Sequence, residues 1–256
     1  MGEQTTSGYG YAPGVFRIGE VLSRAFALVG SQFPLYFVIY LLSALPNNAI
    51  LLIAGVSGRP QPGQPPNLGA SLALLGGSLL ALALTILAQS MVLFIAYNAL
   101  KSQKVTLGAA FELALNRFFP MLGSLICLGL AMSLGLVLLI VPGLMIAVRY
   151  YVSPIACLIE QRGPIDSLGR SAELTDGYRW PILGLALLVA VASIIVTVPA
   201  SLFLPALVGR VPATIVSMLI TAALGSVNTV IYVAVYRALR LAKEGPDGDP
   251  LARVFD

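Results

Sequence analysis

Histidine is absent from this chain of 256 residues, which removes the commonest general base, the Ser-His-Asp arrangement and most zinc and iron sites. Cysteine is scarce. Cys127 and Cys157 both lie inside apolar runs without CxxC spacing, so they read as buried thiols, not as a disulfide or a metal clip. Charge is the third shortage: only 10% of residues are Asp, Glu, Lys or Arg, against roughly 25% in a soluble domain. A chain so poor in charge, and 58% hydrophobic, does not have water as its main solvent. Its polar start, MGEQTTSGYGYAPG, lacks the apolar core of a secretory signal; residues 1–14 and 241–256 are expected to be flexible cytoplasmic tails.

What the chain does have is long apolar runs. A helix of about 20 residues crosses a ~30 Å hydrocarbon core, and such runs cover Pro34–Val56, Ser71–Tyr97, Pro120–Val141, Leu144–Ile159, Pro181–Leu204 and Pro212–Tyr236. The fourth is short and carries Arg149 and Pro154. Val141-Pro142-Gly143 is expected to turn the chain between the third and fourth spans, because proline and glycine both break helices. If the N-terminus is inside and there are six spans, twelve of the fifteen basic residues lie inside. Arg59 and Arg210 lie outside, and Arg149 is embedded. The expected fold is therefore all-α: a polytopic bundle of six transmembrane helices at 15–240, with both termini cytoplasmic.

The chain also repeats itself. IGEVLSRAFALVGSQFP (Ile18–Pro34) and IDSLGRSAELTDGYRWP (Ile165–Pro181) align without gaps at isoleucine, alanine, glycine and proline, and Leu107–Pro120 is a shorter third copy. AYNALK (Ala96–Lys101) is echoed by VYRALR (Val235–Arg240). We read three units, about 15–101, 105–160 and 163–240, each an interfacial amphipathic helix on the cytoplasmic side followed by a two-span hairpin. Ile18, Val21, Leu22, Ala25, Phe26 and Val29 form one helical stripe; Leu107, Ala110, Phe111, Ala114, Leu115 and Phe118 form another. In the last copy Ile165, Leu168 and Ala172 hold the apolar face, while Thr175 and Asp176 interrupt it.

Few residues carry chemistry. Arg149, ionisable within a span, either snorkels to the outer headgroups or contacts a buried lipid phosphate or substrate. Asn47, Asn48, Gln89 and Asn228 also lie within spans, as interhelical hydrogen-bonding groups or as the lining of a polar path. Gly76-Gly77, Gly123, Gly129, Gly135 and Gly184 point to close helix packing. Glu160, Asp166, Glu173 and Asp176 accompany Arg162, Arg170 and Arg179. They read as a solvated, locally neutralised helix, with Asp166 and Glu173 both within a turn of Arg170. Paired carboxylates of this kind also serve metal or acid–base chemistry, but no spacing here enforces convergence.

VPGLMIAVRYYVSPIACLIE followed by RSAELTDG resembles the membrane domain associated with glycerophosphoryl diester phosphodiesterases and the YciC-like bacterial membrane proteins. The matching positions are Pro142, Gly143, Arg149, Glu160, Arg170, Ser171, Leu174, Thr175 and Gly177, within a similarity running from about Val15 to Arg240. The resemblance implies a bacterial cytoplasmic membrane. It implies no phosphodiesterase activity, since in fused members catalysis belongs to a separate barrel that uses histidines and a metal. The leading expectation is a non-enzymatic membrane protein, without cofactor or metal, that organises anionic lipid or a partner membrane protein. Arg149, Arg170, Glu160 and Glu173 are its candidate contacts. A small transporter using Arg149 and the span asparagines is the second reading, and a headgroup-modifying enzyme built on the carboxylates the third. Nucleic-acid binding is not expected, because the basic residues are spread thinly.

Overall fold

The computed structural model describes residues 18–56, 68–138 and 140–245. All secondary structure among them is helical: α1 Ile18–Val56, α2 Leu68–Leu100, α3 Leu107–Asn116, α4 Phe118–Leu138, α5 Ile140–Arg149, α6 Ser153–Ile159, α7 Pro164–Thr175, α8 Arg179–Val208 and α9 Arg210–Glu244. Six stretches are long and apolar enough to cross a membrane: Ile18–Pro46, Leu75–Leu100, Phe118–Gly135, Val141–Ile159, Arg179–Val208 and Val211–Glu244. By length and composition this is a multi-pass membrane protein.

Several helix limits follow from single residues. In α1 the helical backbone breaks at Gln32 (φ −129°, ψ 15°), two residues before Pro34, whose ring cannot coexist with the carbonyl four residues earlier. The Tyr36 hydroxyl donates to Gln32 Oε1 at 3.1 Å and bridges the kink. Thr106 caps α3, its hydroxyl accepting from the Ala109 amide at 3.3 Å. Gly177 follows α7 at φ +82°, a left-handed conformation that lets the chain turn into α8. The expected turn at Val141–Gly143 is displaced: Pro142 and Gly143 lie in the first turn of α5, where proline's missing N–H removes no bond. At the other end α9 runs on to Glu244, past the expected start of the tail at 241.

The core gathers around α9, which packs on α1, α2 and α8 and touches α7. Val230, Val233, Tyr236 and Leu239 are fully buried against Val92, Leu93 and Ala96 of α2 and Val21, Ala25 and Tyr36 of α1. A second group consists of the α4–α5 hairpin with α6 and α7. α8 buries few of its residues, and Leu187, Ile194, Ile195, Leu202 and Phe203 point away from the protein, as a lipid-facing helix does.

The glycines divide sharply. A Cβ built on Gly135 would stand 2.7 Å from the Gly143 Cα, and one on Gly123 would stand 2.9 Å from Pro164 Cγ. Nothing lies within 4 Å of a Cβ on Gly76, Gly129 or Gly184, so the close-packing role expected there does not hold. Gly135→Ala is accordingly expected to pry α4 from α5 and cost about 1–3 kcal/mol of stability. Thermal unfolding in detergent checks this, with Gly129→Ala unchanged as the control.

Candidate functional site

The most elaborate polar construction surrounds a broken helix. α5 stops at Arg149 and α6 starts at Ser153, because Pro154 has no amide to give and its ring excludes a helical carbonyl at Tyr150. The break frees backbone groups, and in an apolar setting each unpaired one costs several kcal/mol, roughly. α7 supplies the partners. Ser171 Oγ donates to the Arg149 carbonyl at 3.0 Å and accepts from the Val152 amide at 3.1 Å. Thr175 Oγ1 shares its one proton between the same Arg149 carbonyl at 3.1 Å and the Ser171 carbonyl at 2.9 Å, and the Tyr232 hydroxyl of α9 donates to the Tyr151 carbonyl at 2.6 Å. A serine pair, Ser124 and Ser167 at 3.3 Å, joins α4 to α7.

The buried face of α7 is therefore Ser167, Ser171, Leu174 and Thr175, while Ile165, expected on the apolar face of the interfacial helix, is exposed. The interruption of that face at Thr175 is what lets the helix dock on backbone instead of on side chains.

One turn away, a charged cluster ties α2, α6, α7 and α9 together. Glu160, just after α6, accepts from Arg170 Nε at 2.9 Å, Arg162 Nε at 2.7 Å and the Tyr236 hydroxyl at 2.8 Å. Arg170 also donates to Glu244, which receives Arg240 Nε at 3.0 Å; Arg240 in turn reaches the Tyr97 hydroxyl at 3.1 Å. The Glu160 and Arg170 side chains are only 8% and 13% exposed. Burial pulls the Glu160 carboxyl upward, but Tyr236, Arg170 and Arg162 outweigh it and hold it below the ordinary carboxylate range. Burial likewise works against the Arg170 cation, and Glu244 and Glu160 more than restore it.

The remaining candidates scatter. The Arg149 side chain is exposed and lies over the Tyr150 ring, 5.7 Å from its centroid; only its carbonyl joins the construction. Glu173 is mostly exposed and stands 3.6 Å from Arg170, whereas the expected Asp166–Arg170 pair does not form among the described residues. Asn48 donates to the Ala44 carbonyl of its own helix at 2.8 Å, and Asn228 reaches Ser193 of α8 at 3.4 Å. Gln89 is half-buried in α2, and the side chain of Asn47 falls outside the described residues. Among the described residues no group of three or more Cys, Asp or Glu side chains is placed to hold a metal ion.

Tyr97, Tyr236, Arg240 and Glu244 were not candidates from the sequence. Their signal was the Tyr-x-Ala-Leu-basic echo: its two tyrosines face each other at 6.0 Å, with Lys101 4.5 Å above the Tyr97 ring. The repeat marks the seam where the return helices meet.

Taken together, the helices and the charged cluster that clasps them define an all-helical membrane module held by an internal polar seam. The chain belongs to the family described as a domain of unknown function, DUF7847, whose profile matches residues 17–239. No curated protein and no solved structure matches it.

Proposed function

We propose that this chain is a non-enzymatic membrane protein that organises anionic lipid through in-plane helices on the cytoplasmic side of a bacterial inner membrane. The resemblance to the phosphodiesterase-associated membrane domain fits such a module. The observation that carries the reading is α3. At ten residues it is about 15 Å long, half the hydrocarbon thickness, so it cannot cross. It nevertheless turns Leu107, Phe111 and Leu115 away from the protein, at 51%, 48% and 48% exposure, while Ala110 and Ala114 face inward. A short helix with one apolar row outward lies along a lipid surface. Lys104 is exposed just before it, and Arg117 follows it, half-buried and bonded to Gln161 at 2.9 Å.

The enzymatic reading has less support, since Glu160 and Glu244 are already neutralised by guanidinium groups within the chain. The transporter reading relied on Arg149 and the span asparagines together; Asn48 lines the groove between α1, α2 and α9, but Arg149 does not.

The test is lipid retention by native mass spectrometry from nanodiscs containing phosphatidylglycerol and phosphatidylethanolamine. Lys104→Gln should weaken the preference for phosphatidylglycerol on the order of fivefold, the worth of roughly 1 kcal/mol per basic group near the surface. Phe111→Ser should reduce retention of both lipids. Unchanged retention in both variants would sink the proposal.

A further inference from the structure

At the end of the bundle away from the charged cluster, α1, α2 and α9 part to leave an open groove of about 480 Å³. The space exists because the facing residues are small. Ala44, Ala81, Ala222 and Gly225 line it, and a Cβ on Gly225 would already stand 3.1 Å from the Tyr40 ring. Its polar lining is Tyr40, Ser43 and Asn48 from α1, Ser78 and Thr85 from α2, and Thr221 from α9. Thr221 lies fifteen residues before Tyr236 on α9, so the groove and the charged cluster are roughly 22 Å apart along the axis.

The hydrogen-bond capacity of this lining is mainly accepting. Ser43 donates to the Tyr40 carbonyl at 2.8 Å, Ser78 to Leu75 at 2.9 Å and Thr85 to Ala81 at 2.8 Å. Thr221 donates to Ser217, the Asn48 amide is engaged at Ala44, and Tyr40 and Thr229 share one hydrogen bond. Ser43, Ser78, Thr85 and Thr221 have thus committed their single protons to carbonyls of their own helices while their oxygens keep lone pairs open; one proton of the Tyr40–Thr229 pair and the second N–H of Asn48 remain as donors. Three helices present four hydroxyl acceptors beside a few donors, with no formal charge among them. A bare cation would leave water for a place with no countercharge, at a large desolvation cost. A neutral group bearing several O–H donors meets the acceptors without that cost. The volume falls within the roughly 300–1,000 Å³ of small-molecule sites.

We infer that the groove between α1, α2 and α9 binds a neutral polyhydroxylated group of about the size of one sugar ring. The site is separate from the α3 surface and stands or falls independently of it.

That chemistry has two sources, a glycosyl lipid headgroup or a free sugar. The full chain is placed in nanodiscs carrying monoglucosyl diacylglycerol, in discs carrying diacylglycerol with free glucose added, and in discs carrying diacylglycerol alone. Native mass spectrometry reads retention, and thermal unfolding reads stabilisation. The parent is expected to retain the glucosyl lipid or the free glucose at least tenfold better than Ser78→Ala/Thr85→Val, which removes two acceptors at nearly constant volume. Retention in the first arm alone assigns a lipid headgroup, and retention in the second assigns a free sugar. If the double variant unfolds early without ligand, Thr221→Val, an exposed single change, replaces it and should lower retention severalfold. Equal retention by parent and variant, diacylglycerol held as well as its glucosylated form, or no retention in any arm would overturn the inference.

Discussion

Glu160→Ala is expected to destabilise the protein by about 3–5 kcal/mol, because it strips Arg170 of a partner at a site where neither side chain is open to water. The Tyr236 hydroxyl loses its acceptor in the same step. Glu160→Gln keeps an acceptor for Tyr236 and should cost less, about 1.5–3 kcal/mol. Arg170→Ala combined with Glu160→Ala should cost less than the sum, the sign of a coupled pair. The clasp is also acid-sensitive. Glu160 titrates lower folded than unfolded, so its stabilisation is complete above the ordinary carboxylate value of about 4.3 and disappears as pH falls through the depressed one. Chemical unfolding in detergent across this range should show a steeper acid loss in the parent than in Glu160→Gln. Matching slopes would place the acid sensitivity elsewhere.

The second large effect concerns the broken helix. Ser171→Ala with Thr175→Val leaves the Arg149 carbonyl and the Val152 amide without their side-chain partners, an expected loss of about 2–4 kcal/mol for two stranded groups. Hydrogen exchange separates this from general loosening. The Val152 amide should lose protection in Ser171→Ala yet keep it in Ser171→Thr, which retains the hydroxyl. Protection at Val152 that ignored both substitutions would remove Ser171 from the role.

Both predictions involve residues that were visible as a motif but misjudged as a surface. Arg170, Ser171, Leu174 and Thr175 read as a polar interfacial helix whose charges balance one another. Helical spacing reports only neighbours within a turn, and so it found Glu173, which is mostly exposed, and Asp166, which forms no pair with Arg170 among the described residues. The partners that matter are remote: Glu244 lies 74 residues beyond Arg170, and the Arg149 carbonyl 22 residues before Ser171. Arg149 shows the converse case. Its charge drew attention, yet the structure uses its backbone oxygen, which no residue type advertises.

What the sequence determined alone is what depends on averages over many residues: the apolar solvent, the six spanning stretches, and the start of a new helical segment near Pro34. Hydrophobic transfer and proline sterics act locally and sum along the chain, so they survive without knowledge of the fold. Tertiary structure alone decided which polar groups meet. In a low-dielectric interior every carbonyl, hydroxyl and charge must find a partner, and packing chooses that partner among groups far apart in sequence. That is why Glu160 faces Arg170, Ser171 faces a broken helix, and the hydroxyls of three helices are gathered into one groove.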